Sequence, residues 1–203
     1  MPETLTLDPL RLDPRALEGP RLRLRPWRSA DLPPLAVLNA DPQAMRHFPA
    51  PMTPAESDAW AGRLAAHVDT HGWGFWVVER REAPGLVGVV GLQHISWEAD
   101  FTPAVEIGWR IAPAFQRQGY AEEAARLALA AGFGPIGLGE ILAFTVPGNA
   151  PSWLLMTKLG MRPAGTFEHP RLAADHPLRT HLLYRMTRRD WASQPTWAAG
   201  DPA

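Results

Sequence analysis

Short runs of two-residue periodicity, arranged as hairpins around one strand–helix–strand unit, restrict this chain more than any other feature. Arg21-Leu22-Arg23-Leu24-Arg25 alternates with period two and predicts a strand with one wet face. Gly74–Glu79 and Leu86–Ser96 predict two strands joined through the turn Glu82-Ala83-Pro84-Gly85. Val105–Ile111 predicts the next strand, Gly119–Phe133 an alanine-rich helix, Glu140–Val146 a strand, and Asn149–Leu159 a short helix ended by Gly160. Gly165–Glu168 and Thr180–Thr187 predict a closing hairpin. After the first strand, Ser29 or Asp31 caps a helix carrying Leu35, Val37 and Leu38. A proline-broken loop over 47–52 then leads to Thr53-Pro54-Ala55-Glu56, a capping box with proline at the first helical position. The helix it starts is expected to run to about His71, with Trp60, Leu64 and Val68 on one face. Hairpins require antiparallel neighbours, and a strand–helix–strand unit requires a parallel pair. An α/β fold with a mixed, mainly antiparallel sheet and helices on its faces meets both demands.

The 203 residues, 46% of them hydrophobic and 20% charged, suit one domain able to bury a proper core. Residues 1–19 read as an irregular arm, 20–191 as the folded domain and 192–203 as a frayed tail. With 21 acids against 20 bases the net charge is −1, which argues against a nucleic-acid partner. No apolar run reaches the ~18 residues of a membrane span. The start, MPETLTLDPLRLDP, has acids and prolines where a signal peptide needs a basic and then an apolar stretch. Cysteine is absent, which excludes disulfides, thiolate metal sites and a cysteine nucleophile, and fits the cytoplasm.

The segment Glu106–Ala124 carries the chemistry. A strand ends at Pro113, a short loop follows, and a helix begins near Gly119. Small residues at Gly119 and Ala121 allow a ligand to approach the backbone closely. The free N–H groups of residues 117–122 then make an anion site suited to a pyrophosphate. An ordinary strand–turn–helix joint with a glycine in the turn is the alternative. Other phosphate motifs fail: there is no G-x-x-x-x-G-K-[ST], the one lysine, Lys158, lies elsewhere, and no G-x-G-x-x-G follows a strand.

Gln116-Arg117-Gln118-Gly119-Tyr120-Ala121 resembles the [Q/R]-x-x-G-x-[G/A] acetyl-CoA signature of the GNAT acetyltransferases. Its setting strengthens the resemblance. Glu106-Ile107-Gly108-Trp109-Arg110-Ile111 precedes it, as in the branch resembling ribosomal-protein N-terminal (alanine/serine) acetyltransferases. Asn149-Ala150-Pro151-Ser152 follows one strand later, Lys158-Leu159-Gly160-Met161 closes the next helix, and Leu183–Trp191 matches the usual ending. The resemblance spans about residues 20–191 and implies a sheet of about six to seven strands flanked by about four helices. It also implies that the strand Ile107–Ile111 splays from Glu140–Val146. The pantetheine arm of acetyl-CoA would lie in that gap against Ile107, Trp109 and Ile111, with its pyrophosphate on Gln116, Arg117, Gln118, Gly119, Tyr120 and Ala121.

By the same resemblance Glu106 is the candidate base for the amine proton, directly or through water; the alternative is a structural glutamate. The tyrosine many members use as acid falls at Met156, which cannot donate a proton. Ser152 is the substitute, or else a first-turn serine of its helix, and Asn149 either bonds the pantetheine arm or caps that helix. Phe48, Trp76 and Trp97 are expected to line the acceptor cleft together with Trp73, the alternative being core packing. His169, Asp175, His176 and His181 cluster near the end, facing the acceptor or merely forming a polar loop. His67 and His71 have a metal spacing on a helix, but with no third ligand evident a solvated face is expected, and no metal. The chain is therefore expected to transfer acetyl to a small-molecule amine or peptide N-terminus. The alternative is a silent CoA-binding sensor or scaffold, kept open by Met156. A homodimer is expected to cover exposed sheet edges.

Overall fold

The computed structural model describes residues 17–194; the start of the predicted arm and the end of the predicted tail lie outside the described residues. The strands are β1 (Leu22–Arg25), β2 (Phe75–Arg80), β3 (Leu86–His94), β4 (Val105–Ile111), β5 (Glu140–Thr145), β6 (Arg162–Glu168) and β7 (Thr180–Thr187). The helices are α1 (Leu32–Ala40), α2 (Pro54–His71), α3 (Tyr120–Phe133), α4 (Ala150–Lys158) and α5 (Arg188–Ala192). All seven strands form one sheet in the order β1-β2-β3-β4-β5-β7-β6, in which only β4 and β5 are parallel.

Local chemistry sets the element ends. At α2 the Thr53 side chain accepts from the Glu56 N–H while Glu56 accepts from the Thr53 N–H, the capping box read in the sequence. The helix stops at Gly72, whose φ of 74° places it in the left-handed region that glycine adopts without strain. The same device starts α5, which the sequence reading left out: Thr187 caps the Asp190 N–H and Asp190 returns the bond. β6 begins three residues earlier than expected. It is a solvated edge strand with Pro163 inside it and a register shift between Pro163 and Gly165, so it carries no alternating pattern.

Helices cover both faces. On one, Ala124, Ala125, Leu127, Ala128, Leu129 and Ala131 of α3, with Met156 of α4 and Leu159 just after it, pack on Leu22, Leu24, Trp76, Val78, Val90, Leu92, Ile107 and Ile111. Alanine's small volume lets α3 lie close to the sheet. On the other face, Leu35, Ala61 and Leu64 of α1 and α2 meet Phe75 and Val89. Val37, expected on the same helix as Leu35, points outward and is 73% exposed.

A buried ionic cluster ties β1 to β2 and α1. Arg25 donates from both terminal nitrogens to Asp31, each at 2.7 Å, and its Nε lies 3.1 Å from Glu79. Arg23 Nε donates to Glu79 at 2.8 Å. Desolvation pulls the carboxyl of Asp31 upward, but Arg25 and the Arg28 N–H together outweigh it and hold the group below its ordinary value. Glu79 is likewise lowered, by Arg23, the Gly85 N–H and Arg25 against desolvation. Their stabilisation is therefore full above the ordinary values of 3.8 and 4.5 and fades as pH falls through the lower folded-state values. Asp31→Ala is expected to cost about 3 kcal/mol at pH 7, the low end for a broken buried pair because Glu79 remains beside Arg25. Urea unfolding read at pH 7 and again near pH 3 checks this, with the difference shrinking at the lower pH.

Candidate active site

β4 and β5 share a single register pair, Glu106 with Leu142, and then diverge. β4 is held along its other edge by seven register pairs to β3, and β5 by six to β7. The Ala112 N–H donates to the Val87 carbonyl at 2.9 Å on the β3 side. Backbone groups alternate sides along a strand, so those of Ile107, Trp109 and Ile111 face the gap. The side chains of Ile107 and Ile111 are buried in the core, so what they offer to the gap is backbone. The wedge is closed at Glu106 and opens toward the end of β4 at Ile111, roughly 16 Å further along at strand rise.

The mouth of the wedge carries the predicted anion site. Arg117 at φ 59° and Gly119 at φ 78° both adopt left-handed backbone, which curves the loop into a concave nest ahead of α3. Among the described residues the N–H groups of 117–122 have no protein partner, whereas the Glu123 N–H already bonds the Gly119 carbonyl. The two glutamines brace the loop from inside: Gln116 Nε2 donates to the Ile111 carbonyl at 2.9 Å and Gln118 Nε2 to the Ala114 carbonyl at 3.0 Å. The acids of the first turn of α3 point elsewhere. Glu123 accepts from the Arg21 and Leu22 N–H groups and from Arg21 Nε. Glu122 pairs with Arg126 and Lys158. Tyr120 lies under the Arg21 guanidinium, 4.9 Å from its ring centre, and Ala121 packs against the core.

Glu106 stands at the closed end, on the sheet face that also carries α1 and α2. Gln93 Nε2 donates to its Oε1 at 2.6 Å. Solvent still reaches the carboxyl, but the surrounding protein strips most of its hydration. That desolvation raises its pKa to about 7, against the smaller opposing pull of Gln93 and Arg171. On the β5 side, Asn149 precedes α4 without capping it by its side chain; its Nδ2 donates to Thr145 Oγ1 at 2.9 Å. Ser152 is 9% exposed in the first turn of α4, and its N–H bonds the Asn149 carbonyl. Met156 is 2% exposed and lies in the core.

The candidate acceptor residues separate. Trp97 belongs to an aromatic group with Phe101, Phe144, Phe167, His169 and His181 on the Glu106 face. It lines an open concavity of about 720 Å³ formed by residues 95–100, 102 and 103. The loop between β6 and β7 crosses to this group, where Arg171 donates to Ser96 Oγ at 2.8 Å. Burial, with help from His181 and Arg171, drops the His169 pKa to about 4, so its ring is neutral at pH 7. Asp175 and His176 stay in that loop, outside the aromatic group. Phe48 is 39% exposed and covers the Arg110 guanidinium at 4.3 Å. Trp76 is corrected to a core residue: it is 6% exposed and packs on the α3 face, away from Glu106. Trp73 instead touches His67, His71 and His94.

Sequence reasoning missed Arg110. Strand alternation puts it on the Glu106 face, roughly 13 Å along β4. It is 8% exposed, sits between Phe48 and Trp60, donates to Asn39 Oδ1, and has no acidic partner among the described residues. Its Nε lacks any hydrogen bond, and burial lowers its pKa to about 10. Its only sequence signal was a second charged residue, beside Glu106, in a mostly apolar strand.

The family model described as "Acetyltransferase (GNAT) domain" matches residues 21–162, from β1 to the start of β6. The chain belongs to the GNAT acetyltransferase family. The GNAT chain is 46% identical over 63 residues to the uncharacterized N-acetyltransferase YnaD of Bacillus subtilis, a match covering 31% of this chain and 37% of that protein. Among solved structures it superposes on a GNAT-family acetyltransferase from Bacillus anthracis with a TM-score of 0.70 at 24% identity, covering 85% of this chain and 98% of that one. It also superposes on RimJ of Mycobacterium smegmatis in complex with CoA-disulfide, with a TM-score of 0.67 at 23% identity and 83% of each chain covered. A third match is spermidine N-acetyltransferase of Vibrio cholerae with CoA and spermine, at a TM-score of 0.68, 21% identity, and 84% and 98% covered. These likenesses establish the shared fold.

Raising the Glu106 pKa has a signed consequence for stability. Below about pH 4.5 the carboxyl is protonated in both folded and unfolded chains and contributes nothing. As pH rises toward 7 only the unfolded chain ionises freely, so the folded state loses up to about 3 kcal/mol and no more beyond that. Glu106→Gln is expected to remove this loss, making the variant more stable than the parent at pH 8 and equal to it at pH 4.5. Chemical denaturation midpoints measured across that range check it.

Proposed function

We propose that this protein is an N-acetyltransferase that moves the acetyl group of acetyl-CoA directly to a primary amine. The acceptor is a small molecule or a peptide N-terminus. The observation that carries this reading is the continuous track from the amide nest at 117–122, along the open edge of β4, to a carboxyl poised near neutrality at Glu106. An extended phosphopantetheine arm is long enough to run that track, adding its amide groups to the Ile107, Trp109 and Ile111 backbone as a further strand would.

Each residue then has a task. The nest and the α3 N-terminus hold the pyrophosphate. Glu106, directly or through one water, takes the proton from the acceptor ammonium, which otherwise has no lone pair for attack. The nitrogen then attacks the thioester carbonyl, and the C–S bond breaks as the tetrahedral adduct collapses. The leaving sulfur takes the proton of Ser152 Oγ–H, at the start of α4, while the serine oxygen takes the second proton of the adduct nitrogen, so CoA leaves as the thiol, the amide is neutral and the serine is regenerated. Asn149 holds that helix start to the end of β5. Positioning of the two reactants is worth ~7–11 kcal/mol and provides most of the acceleration.

Acceptor choice follows from the charges on the Glu106 face. Among the described residues Arg110 has no acidic counter-charge, and Arg171 also acts on Glu106. A polycation meets repulsion there, whereas an amine carrying a carboxylate or carbonyl finds a donor. Phe48 and Trp97 supply apolar walls.

Thiol release in a panel of amines tests the reading. The parent protein is expected to turn over acetyl-CoA with at least one amino acid or peptide amine faster than with spermine. Its kcat/KM is expected to rise through an apparent pKa near 7, a limb that Glu106→Gln removes along with ~10²–10⁴-fold in rate. Gly119→Asp, which puts a side chain and a negative charge into a left-handed position of the nest, is expected to abolish acetyl-CoA binding by calorimetry. Unchanged binding would defeat the proposal.

A further inference from the structure

We propose that His67, His71 and His94 form a binding site for one divalent transition-metal ion of the zinc class, distinct from the acetyl-transfer site. The helical pair at His67 and His71 had the spacing of ligands but no partner in the sequence. The fold supplies it from the last residue of β3. One ring nitrogen from each of the three lies within 4.8 Å of the others. The ring centres of His71 and His94 are 4.4 Å apart, as are those of His67 and His71.

Hydrogen bonding fixes which nitrogen of His67 is free. Its Nδ1 lies 3.0 Å from the Trp73 carbonyl, an acceptor only, so Nδ1 carries the proton and Nε2 the lone pair. An N–H···O=C bond of this kind is the usual orienting contact behind a metal-bound imidazole. That Nε2 draws the His94 N–H at 3.1 Å and lies 3.2 Å from His94 Nδ1. Two nitrogens on a tetrahedral zinc, each bonded at about 2.0–2.1 Å, stand about 3.3 Å apart. The His67–His94 separation already has this value, and His71, in the last turn of α2, closes the remainder by side-chain rotation. The ion would exchange the His94 N–H bond to Nε2 for a metal bond and keep at least one position for water. Imidazoles without thiolates or carboxylates favour zinc, copper or nickel over magnesium or calcium.

Such an ion would clamp the end of α2 to the end of β3, one residue beyond the Gln93 that holds Glu106. Competition of the full chain against a chromophoric chelator for Zn²⁺ tests the site without reference to activity. One equivalent is expected to bind, with the affinity falling at least about tenfold in both His94→Gln and His71→Gln and unchanged in His176→Gln. Zn²⁺ is also expected to raise the melting temperature of the parent and not of the two triad variants. His71→Gln, at a helix end, guards against a folding defect in His94→Gln. Absence of saturable one-to-one binding, or binding retained by both triad variants, overturns the proposal.

Discussion

The structure depends on hydrogen bonds that β4 and β5 do not make with each other. Two parallel strands bridged by a helix would ordinarily zip together along their length, yet these meet only at Glu106 and Leu142. Each is instead committed to a neighbour on its far side, β4 to β3 and β5 to β7, so the sheet splits beyond that one pair. Apart from the Ile111 carbonyl, which Gln116 holds, the backbone groups left facing the wedge must find water or a ligand, because an unpaired buried amide costs about 1–3 kcal/mol. A site built this way is fixed before any ligand arrives. Binding then adds bonds to existing geometry without ordering a loop, and the entropy cost of association falls accordingly.

Charge placement at the mouth serves the same end. A helix N-terminus favours nearby acids, and α3 has two in its first turn. Left free, they would compete with an anionic ligand for the amide nest. Glu123 is drawn to β1 by Arg21 and two backbone N–H groups, and Glu122 to α4 by Arg126 and Lys158. Those contacts also join α3 to its neighbours, so the pull that clears the nest is the one that seats the helix. The glutamines at 116 and 118 turn inward to carbonyls of their own loop, leaving backbone as the donor.

The middle of this chain was legible because its signals are local. Period-two runs, the Thr53–Glu56 box and the glycine before α3 each act over a few residues, and the structure keeps every one of those elements. The misses share a physical cause. β6 is an exposed edge with a proline and a register shift, so burial imposes no pattern on it. Trp76 was assigned to a cleft because an aromatic on a strand looks the same from either face, and only the sheet order shows which face it has. Arg110 and His94 act through partners on other elements. A guanidinium with no acidic neighbour among the described residues becomes visible only when α1, α2 and β4 are brought together, and a third imidazole only when β3 meets α2. The Thr187–Asp190 box was within reach of sequence and marks the helix it caps.

In the proposed transfer, a Glu106 pKa near 7 suits the base better than that of an ordinary carboxyl. An acceptor ammonium in water is a far weaker acid than an ordinary glutamic acid, so the proton would not leave it for a carboxylate of pKa 4.5. Desolvation acts on the two groups in opposite directions: it raises a carboxyl and lowers an ammonium. On the proposed reading, the setting that lifts Glu106 to about 7 would also lower an amine placed beside it, and the positive charges of Arg110 and Arg171 would push that amine further the same way. The two pKa values approach each other from both sides, which removes most of the uphill cost of deprotonation. The same two arginines penalise an acceptor that brings further positive charge, so the chemistry of proton removal and the selection among amines rest on one arrangement of charge.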